Sequence, residues 1–472
     1  MTSTAKTVDP RLVAAIVASA LFMQNLDSSV VATALPAMAR DMGEDPVRLS
    51  VAITSYLVAL TVFIPVSGWV ADRYGARRVF MLAIVLFTLA SAACGLATSL
   101  GGMVLFRVVQ GLGGAMMVPV GRLLLLRRVR KEEMLSAMAW LTMPALLGPV
   151  MGPPIGGLLT DALGWPSVFW INVPIGLLGL VMVAWKIPPV APSDPGPPDL
   201  VGLTLVGLAL ALAMFGLETI GRGVLPPALP EAGLAFGLVC AVLAVRHCRR
   251  AKRPALDLGL LAIPTFREPT LTGSIFRAGA GATPFLVPLM LQDAFGKSAS
   301  ESGLISFATA LGAMGMKPLV RPVLQRFGFR TTLFVNGILA ALLVVALALV
   351  TPAWPMALLF ALLALGGLAR SLQFTSFASM AFADVPQQKL SAATSFYGTA
   401  QQFSPALGVV LAGASLEIAA GLAGRSTAAT ADYQAAFVIA GLVMLAAVPL
   451  HLALPRDAGA GVTGHGQKQP AE

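Results

Sequence analysis

Charge is what this chain has least of. Asp, Glu, Lys and Arg make up 11% of its 472 residues, where a soluble globular domain carries roughly a quarter. With 57% apolar residues and a mean hydropathy of +0.83, this excludes a water-soluble fold. Cysteine is scarce as well. Cys94, Cys240 and Cys248 lie in or beside apolar runs without metal-ligand spacing, so they read as small hydrophobes and neither a disulfide framework nor a metal site is expected. The only histidines are His247, His451 and His465, and none stands with an Asp or Cys in a recognisable catalytic arrangement, which argues against a membrane-embedded transferase. A Gly-x-x-x-x-Gly-Lys loop is missing, so ATP drive is not expected.

What the chain does have is apolar runs of about 20 residues, each long enough to cross a bilayer core. We count fourteen, from 12–37 to 433–454, including runs at 136–160 and 302–320 and a central pair at 200–218 and 232–247. The first is too long for a signal-peptide core and reads as a retained span. Most of the 32 Lys and Arg fall in alternate connections, such as Arg73, Arg77 and Arg78, then Arg127, Arg128, Arg130 and Lys131. That alternation places both termini in the cytoplasm and accounts for the net charge of +10 without a nucleic-acid partner.

Two linkers interrupt the runs: Pro-rich Ile187–Pro198 and basic, irregular His247–Glu268. They divide the chain into an N-terminal six-helix bundle (1–187), a linker with two additional spans (188–268), a C-terminal six-helix bundle (269–455) and a cytoplasmic tail (456–472). Gly68-Trp-Val-Ala-Asp72-Arg73-Tyr-Gly75-Ala-Arg77-Arg78 after run two has a weak copy in Arg321 to Arg330 after run ten, with Gln325 in place of Asp72 and Gly328 in place of Gly75. Repeated halves around a central site are a transporter signature.

Four motifs stand in order. They are Leu26-Asp27-Ser28-Ser29 continuing to Ala34-Leu35-Pro36, the Gly68–Arg78 loop, Arg107-Val-Val-Gln110-Gly111-Leu-Gly113-Gly114, and Gly148-Pro149-Val-Met-Gly152-Pro153-Pro-Ile-Gly156-Gly157. Together they resemble the major facilitator superfamily, in particular its fourteen-span drug:proton antiporter branch, over nearly the whole chain. The resemblance implies an all-α integral membrane protein, two six-helix bundles plus two linking helices. One departure is that Trp165 is followed by Pro166, where the family typically has a basic residue, although Phe169-Trp170-Ile171-Asn172-Val173-Pro174 is intact.

Asp27 is the only charge in the first run, and a charge at membrane depth costs roughly 2.5–3.5 kcal/mol on insertion scales. Arg107 is its natural partner. Measured from where each run meets the outer surface, the two lie roughly 13 and 9 Å deep at 1.5 Å per residue. A neighbouring Arg favours the charged carboxylate and burial favours the neutral one, which is the competition a proton carrier needs; a static ion pair is the alternative. Asp72 with Arg73, Arg77 and Arg78, spaced by Gly68 and Gly75, reads as a charge latch at the inner mouth; the resemblance implies that it stabilises the outward-open state. Gly148, Gly152 and Gly156 share one helix face, while Pro149 and Pro153 bend it; with Gly157 they form the hinge that the resemblance associates with antiport.

Arg277, Lys317 and Arg370 also fall within spans, giving four embedded bases against one acid, a balance unsuited to dications. Candidate contacts in a substrate cavity are Gln24, Gln110, Tyr56, Trp140, Arg277, Arg370, Gln373, Tyr397 and Gln401. The expectation is a monomer in the cytoplasmic (inner) membrane, exporting small organic solutes in exchange for protons. It needs no cofactor, because the proton gradient drives it. A narrower exporter of one metabolite or organic anion is the alternative.

Overall fold

The computed structural model describes residues 10–44, 46–189, 192–219, 228–425 and 429–465. Every regular element among them is helical. In lipid no water satisfies backbone N–H and C=O groups, so a long apolar run has to close its hydrogen bonds within itself. The long helices are α1 (Pro10–Met42), α2 (Val51–Phe63), α3 (Ser67–Tyr74), α4 (Ala76–Cys94), α5 (Leu100–Leu126), α6 (Met134–Leu163), α7 (Asn172–Lys186), α8 (Leu200–Thr219), α9 (Ala228–Cys248), α10 (Pro264–Leu289), α11 (Ala299–Gly315), α12 (Val320–Ala346), α13 (Met356–Met380), α14 (Leu390–Leu422) and α15 (Thr430–Ala447).

Among the described residues, twelve helices are long and apolar enough to cross a membrane. The sequence count of fourteen exceeds this by two. One of the two is α6, several of whose side chains lie outside the described residues. The other is α11, whose 17 residues fall just short of a full crossing; at 1.5 Å per residue that is roughly 26 Å against a core of about 30 Å.

The chain forms two compact units. The first holds Met1–Arg130, Trp140–Leu258 and Pro386–Thr399; the second holds Lys131–Ala139, Gly259–Val385 and Ala400–Glu472. In the first, Leu26, Val30, Ala34 and Met38 of α1 pack with Met103 of α5 and with Phe169 to make a continuous apolar core. The helices of the central pair, α8 and α9, pack on each other, and α8 also rests on α2. In the second unit, Phe276 of α10 meets Phe377 of α13 edge-on at 5.9 Å.

Both copies of the loop motif turn at their glycine. Gly75, with φ 88°, separates α3 from α4, and Gly328, with φ 69°, kinks α12 at the matching position. Residues with a Cβ rarely adopt such angles, so the two glycines carry the same bend in each half. The basic linker ends sooner than its sequence implies. A 3-10 turn covers Leu258–Ala262 and α10 opens at Pro264, which puts Glu268 inside a helix and buries it.

Candidate functional site: a buried charge cluster

Asp27 and Arg107 meet in the first unit. Ser99 starts α5 by accepting the Gly102 N–H, and about two turns later Arg107 points at α1. Arg107 Nη1 donates to Asp27 Oδ2 at 2.6 Å, and neither side chain is exposed. The other carboxylate oxygen, Oδ1, accepts Gln110 Nε2 at 2.9 Å and Asn172 Nδ2 at 2.8 Å. Arg107 also donates to Gln110 Oε1 and to the Ala52 carbonyl, and its guanidinium lies 4.3 Å over the Tyr56 ring. Asn172 is steadied by Ser91, which donates in turn to the Phe169 carbonyl. All three partners of Asp27 are N–H donors, and the Tyr56 ring face adds to the binding of the guanidinium.

Two cavity candidates, Gln110 and Tyr56, are therefore part of the charge cluster. Gln24 is buried one turn from Asp27, against Gly114. Asn172 was not singled out from the sequence; its signal was the intact Ile171-Asn172-Val173-Pro174 segment, but nothing local tied that amide to α1.

The loop motif divides its work. Asp72 pairs with Arg127 at 2.8 Å, largely shielded from solvent, and also accepts the Ser391 hydroxyl in the first turn of α14. Gly68 makes room there, since a Cβ would lie 2.6 Å from the Ser391 carbonyl. Arg73 turns instead to the segment after α7, and Arg77 to the last turn of α7 itself. Arg73 pairs with exposed Asp194 at 3.0 Å, and Arg77 donates to the Ala184 carbonyl. Trp69 and Arg128 join them through the Gly196 and Pro188 carbonyls. Arg78 makes no ion pair with Asp72 among the described residues. The arginine that pairs with Asp72 is Arg127, which in sequence looks like one more positive loop residue.

The glycine stripe of α6 faces α1. Cβ atoms at Gly148, Gly152 and Gly156 would collide with Asn25, Ser29 and Thr33, which follow α1 at the same four-residue spacing. Ser29 donates to the Gly148 carbonyl, as close backbone approach allows. Gly157 meets open space. The side chains of Pro149 and Pro153 lie outside the described residues. Trp165, despite the Pro166 that follows it, reaches Asp41 with its indole N–H at 2.8 Å.

Other cavity candidates are dispersed. Trp140 is about half exposed on α6, Gln401 is partly buried on α14, and Tyr397 is buried beneath the Arg122 guanidinium. Arg277 is buried, donates to the Pro269 carbonyl and lies 5.4 Å over Phe377. Lys317 donates to Thr375. Arg370 borders a cavity of about 20 Å³ with Thr283 and Thr309. Gln373 belongs to a buried polar group with Asn336 and His451.

One expectation needs correcting here. The embedded charges are not four bases against one acid, because Glu268 and Arg122 are buried too. Two of the histidines have carboxylate partners that the sequence did not reveal: His247 meets Asp199 at 2.8 Å, and His451 contacts Glu268. A sequence signal for part of this existed. Arg107-Val-Val-Gln110 in α5 and Arg370-Ser-Leu-Gln373 in α13 repeat one pattern.

The profile described as Major Facilitator Superfamily matches residues 17–246 and 270–471. The chain belongs to the major facilitator superfamily. It is similar to "Putative multidrug resistance protein MdtD" of Escherichia fergusonii, 38% identical over 403 residues and 84% of each chain. The Salmonella paratyphi A protein of the same name is 37% identical over 403 residues, again 84% of each chain. Two solved major facilitator structures share the fold. The human organic anion transporter MFSD10 matches with a TM-score of 0.66 at 14% identity, over 94% of this chain and 99% of that one. The proton:xylose symporter XylE matches with a TM-score of 0.66 at 12% identity, over 96% and 97%. The protein is a multi-pass membrane transporter and not an enzyme.

Proposed function

We propose that this protein exports small organic solutes across the cytoplasmic membrane in exchange for protons, with Asp27 as proton carrier and Arg107 as its counter-ion. The observation that carries this is the Asp27 carboxylate, fully enclosed in an apolar bundle and held by Arg107, Gln110 and Asn172. Three of the carboxylate's roughly four acceptor positions are taken, so a proton fits on the free position of Oδ2 and weakens the charge-assisted bonds that hold Asp27. Loading also leaves Arg107 with an uncompensated charge in a low-dielectric site, which favours rearrangement. Release follows when water reaches the carboxylate and the pair re-forms.

In this reading α6 and α11 also cross the bilayer, giving fourteen spans with both termini cytoplasmic, and the protein works as a monomer. The bundles are 1–187 and 269–455, and 188–268 links them. Asp72, Arg127 and Ser391 form the inner latch, and the α6 stripe on α1 forms the hinge. Everted vesicles test the exchange. Adding a transported solute should discharge an imposed pH gradient, and Asp27→Asn should abolish that response while the protein still inserts. Normal uphill export by Asp27→Asn would remove Asp27 from the mechanism.

A second reading, organic anions as cargo, has its own support. Arg370 makes no hydrogen bond or ion pair among the described residues, and it borders a cavity of about 20 Å³ together with Thr283 and Thr309. A partly buried guanidinium without a counter-charge favours an anionic group. Arg370→Gln should then reduce export of aromatic carboxylates while sparing lipophilic cations of similar size; equal effects on both would leave Arg370 a packing role.

A further inference from the structure

The second unit contains a buried acid–base pair that the Asp27 mechanism does not use. His451, fully buried in the turn after α15, contacts Glu268 Oε1 through Nδ1. Its other nitrogen faces Gln373 Nε2 at 3.4 Å. The amides around it fix the proton's place. Asn336 Nδ2 donates to the Ala369 carbonyl at 2.9 Å and to Gln373 Oε1 at 2.8 Å. The Gln373 nitrogen therefore points the other way, donating to the Leu333 carbonyl at 3.1 Å and facing His451. A donor opposite Nε2 makes that nitrogen an acceptor, so the imidazole is neutral with its proton on Nδ1, directed at Glu268.

The pair thus carries one negative charge in an enclosed place. Glu268 Oε2 is buried and receives no hydrogen bond among the described residues. A second proton on His451 would require the Gln373 amide to turn, breaking its bond to Asn336. A proton on Glu268 Oε2 breaks nothing and neutralises the buried charge.

The other groups near the pair fit this assignment. On α10, Arg277 is turned to Pro269 and Phe377, and Thr265 donates to Asp384 one turn from Glu268. α13 contributes the neutral Gln373 and Phe377, the latter 5.8 Å from the imidazole, while Arg370 borders the cavity with Thr283. α12 contributes Asn336, with Arg330 more than a turn before it, and the end of α15 is apolar, with Met444 and Ala447. Glu268 is also only about 6 Å along the helix from the start of α10 at 1.5 Å per residue, close to one membrane face.

We propose that Glu268 and His451 form a second proton-binding site, which loads H⁺ from water onto Glu268 Oε2 and returns it from the same oxygen. In transport this site would carry a proton in addition to the one on Asp27, so the coupling role rests on the proton-exchange reading, whereas the binding itself does not. The test is infrared difference spectroscopy of the purified full chain, titrated between about pH 5 and 8 with the proton as the only ligand. Acidification should raise a carboxylic-acid carbonyl band that Glu268→Gln removes and Asp27→Asn keeps. His451→Gln should move the midpoint of that band. If Glu268→Gln fails to fold, Glu268→Asp should shift the band's frequency and midpoint.

A band unchanged in the Glu268 and His451 variants would overturn the inference. A parallel vesicle assay separates the two ideas. Under the inference, Glu268→Gln lowers the protons moved per solute while Asp27→Asn abolishes exchange. Loss in Asp27→Asn with unchanged stoichiometry in Glu268→Gln would refute the coupling role alone. A solute-independent pH gradient in all forms, with the Glu268 band present, would refute exchange and leave the binding site standing.

Discussion

Arg107 Nη1 sits 2.6 Å from Asp27 Oδ2 with both side chains sealed from solvent, joining residues 80 apart in the chain. A pair so placed contributes little net stability as a pair, yet removing one member leaves the other charged and stranded. Arg107→Ala should therefore lower stability by about 3–5 kcal/mol. Adding Asp27→Asn to that variant should recover part of the loss, because no bare carboxylate remains. Thermal unfolding in detergent reads both; a double variant no more stable than Arg107→Ala would contradict the account.

The arginines around the Gly68–Arg78 loop should not be equivalent. Arg127 holds Asp72 in a largely shielded pair, whereas Arg73 holds exposed Asp194. Exposed pairs are worth little, because solvent screens them and holding the side chains costs entropy. Arg127→Ala and Asp72→Ala should slow solute export to a similar degree, several-fold or more, and Arg73→Ala should leave it near normal. Initial rates in vesicles, normalised to protein level, decide this.

Packing of α6 on α1 predicts a specific rescue. A Cβ at Gly152 would stand 1.7 Å from Ser29 Oγ and 2.6 Å from Ser29 Cβ. Gly152→Ala should destabilise the protein by about 1–3 kcal/mol, as overpacking does, and depress transport. Ser29→Gly in the same chain removes both clashing atoms and should restore much of each. If the second change brings no recovery, the contact does not govern the defect.

A pH prediction arises at the start of α8. Burial pushes the Asp199 carboxyl upward, but the Gly202 and Ala255 N–H groups and His247 outweigh it and hold the group below the ordinary carboxylate value of 3.8. A lowered folded-state value means that its stabilisation is present in full above that ordinary value and fades as pH falls through the folded one. Asp199→Ala should cost about 1 kcal/mol near neutral pH, the usual worth of a helix cap. The gap from wild type should close only in strongly acidic buffer, and melting temperatures across pH would reveal any other pattern.

Some of this site was legible in the chain. A lone acid in a run from Leu12 to Met38 and an arginine at matching depth were enough to pair Asp27 with Arg107. Spacing alone placed the α6 glycines on one face, and the copied loop motif aligned Gly75 with Gly328, but the bend that each makes came from the backbone. Other parts were hidden by long-range contacts. Arg127 looked like Arg73, Arg77 and Arg78 because a run of loop cations carries no record of which one meets Asp72. Glu268 lay in a segment whose polarity resembles a linker, and His451 showed no local partner, because the two are 183 residues apart.

The amino-acid order alone determined the solvent, the helical class and the depth of each stranded charge. Lipid offers no hydrogen bonds, so an apolar run long enough to cross it becomes a helix, and any charge within it demands a partner. Which partner answers was decided only by the tertiary structure. Pairing depends on how each helix is rotated and how far it slides along its neighbour. Those are set by packing across the whole bundle, and no local stretch of residues encodes them.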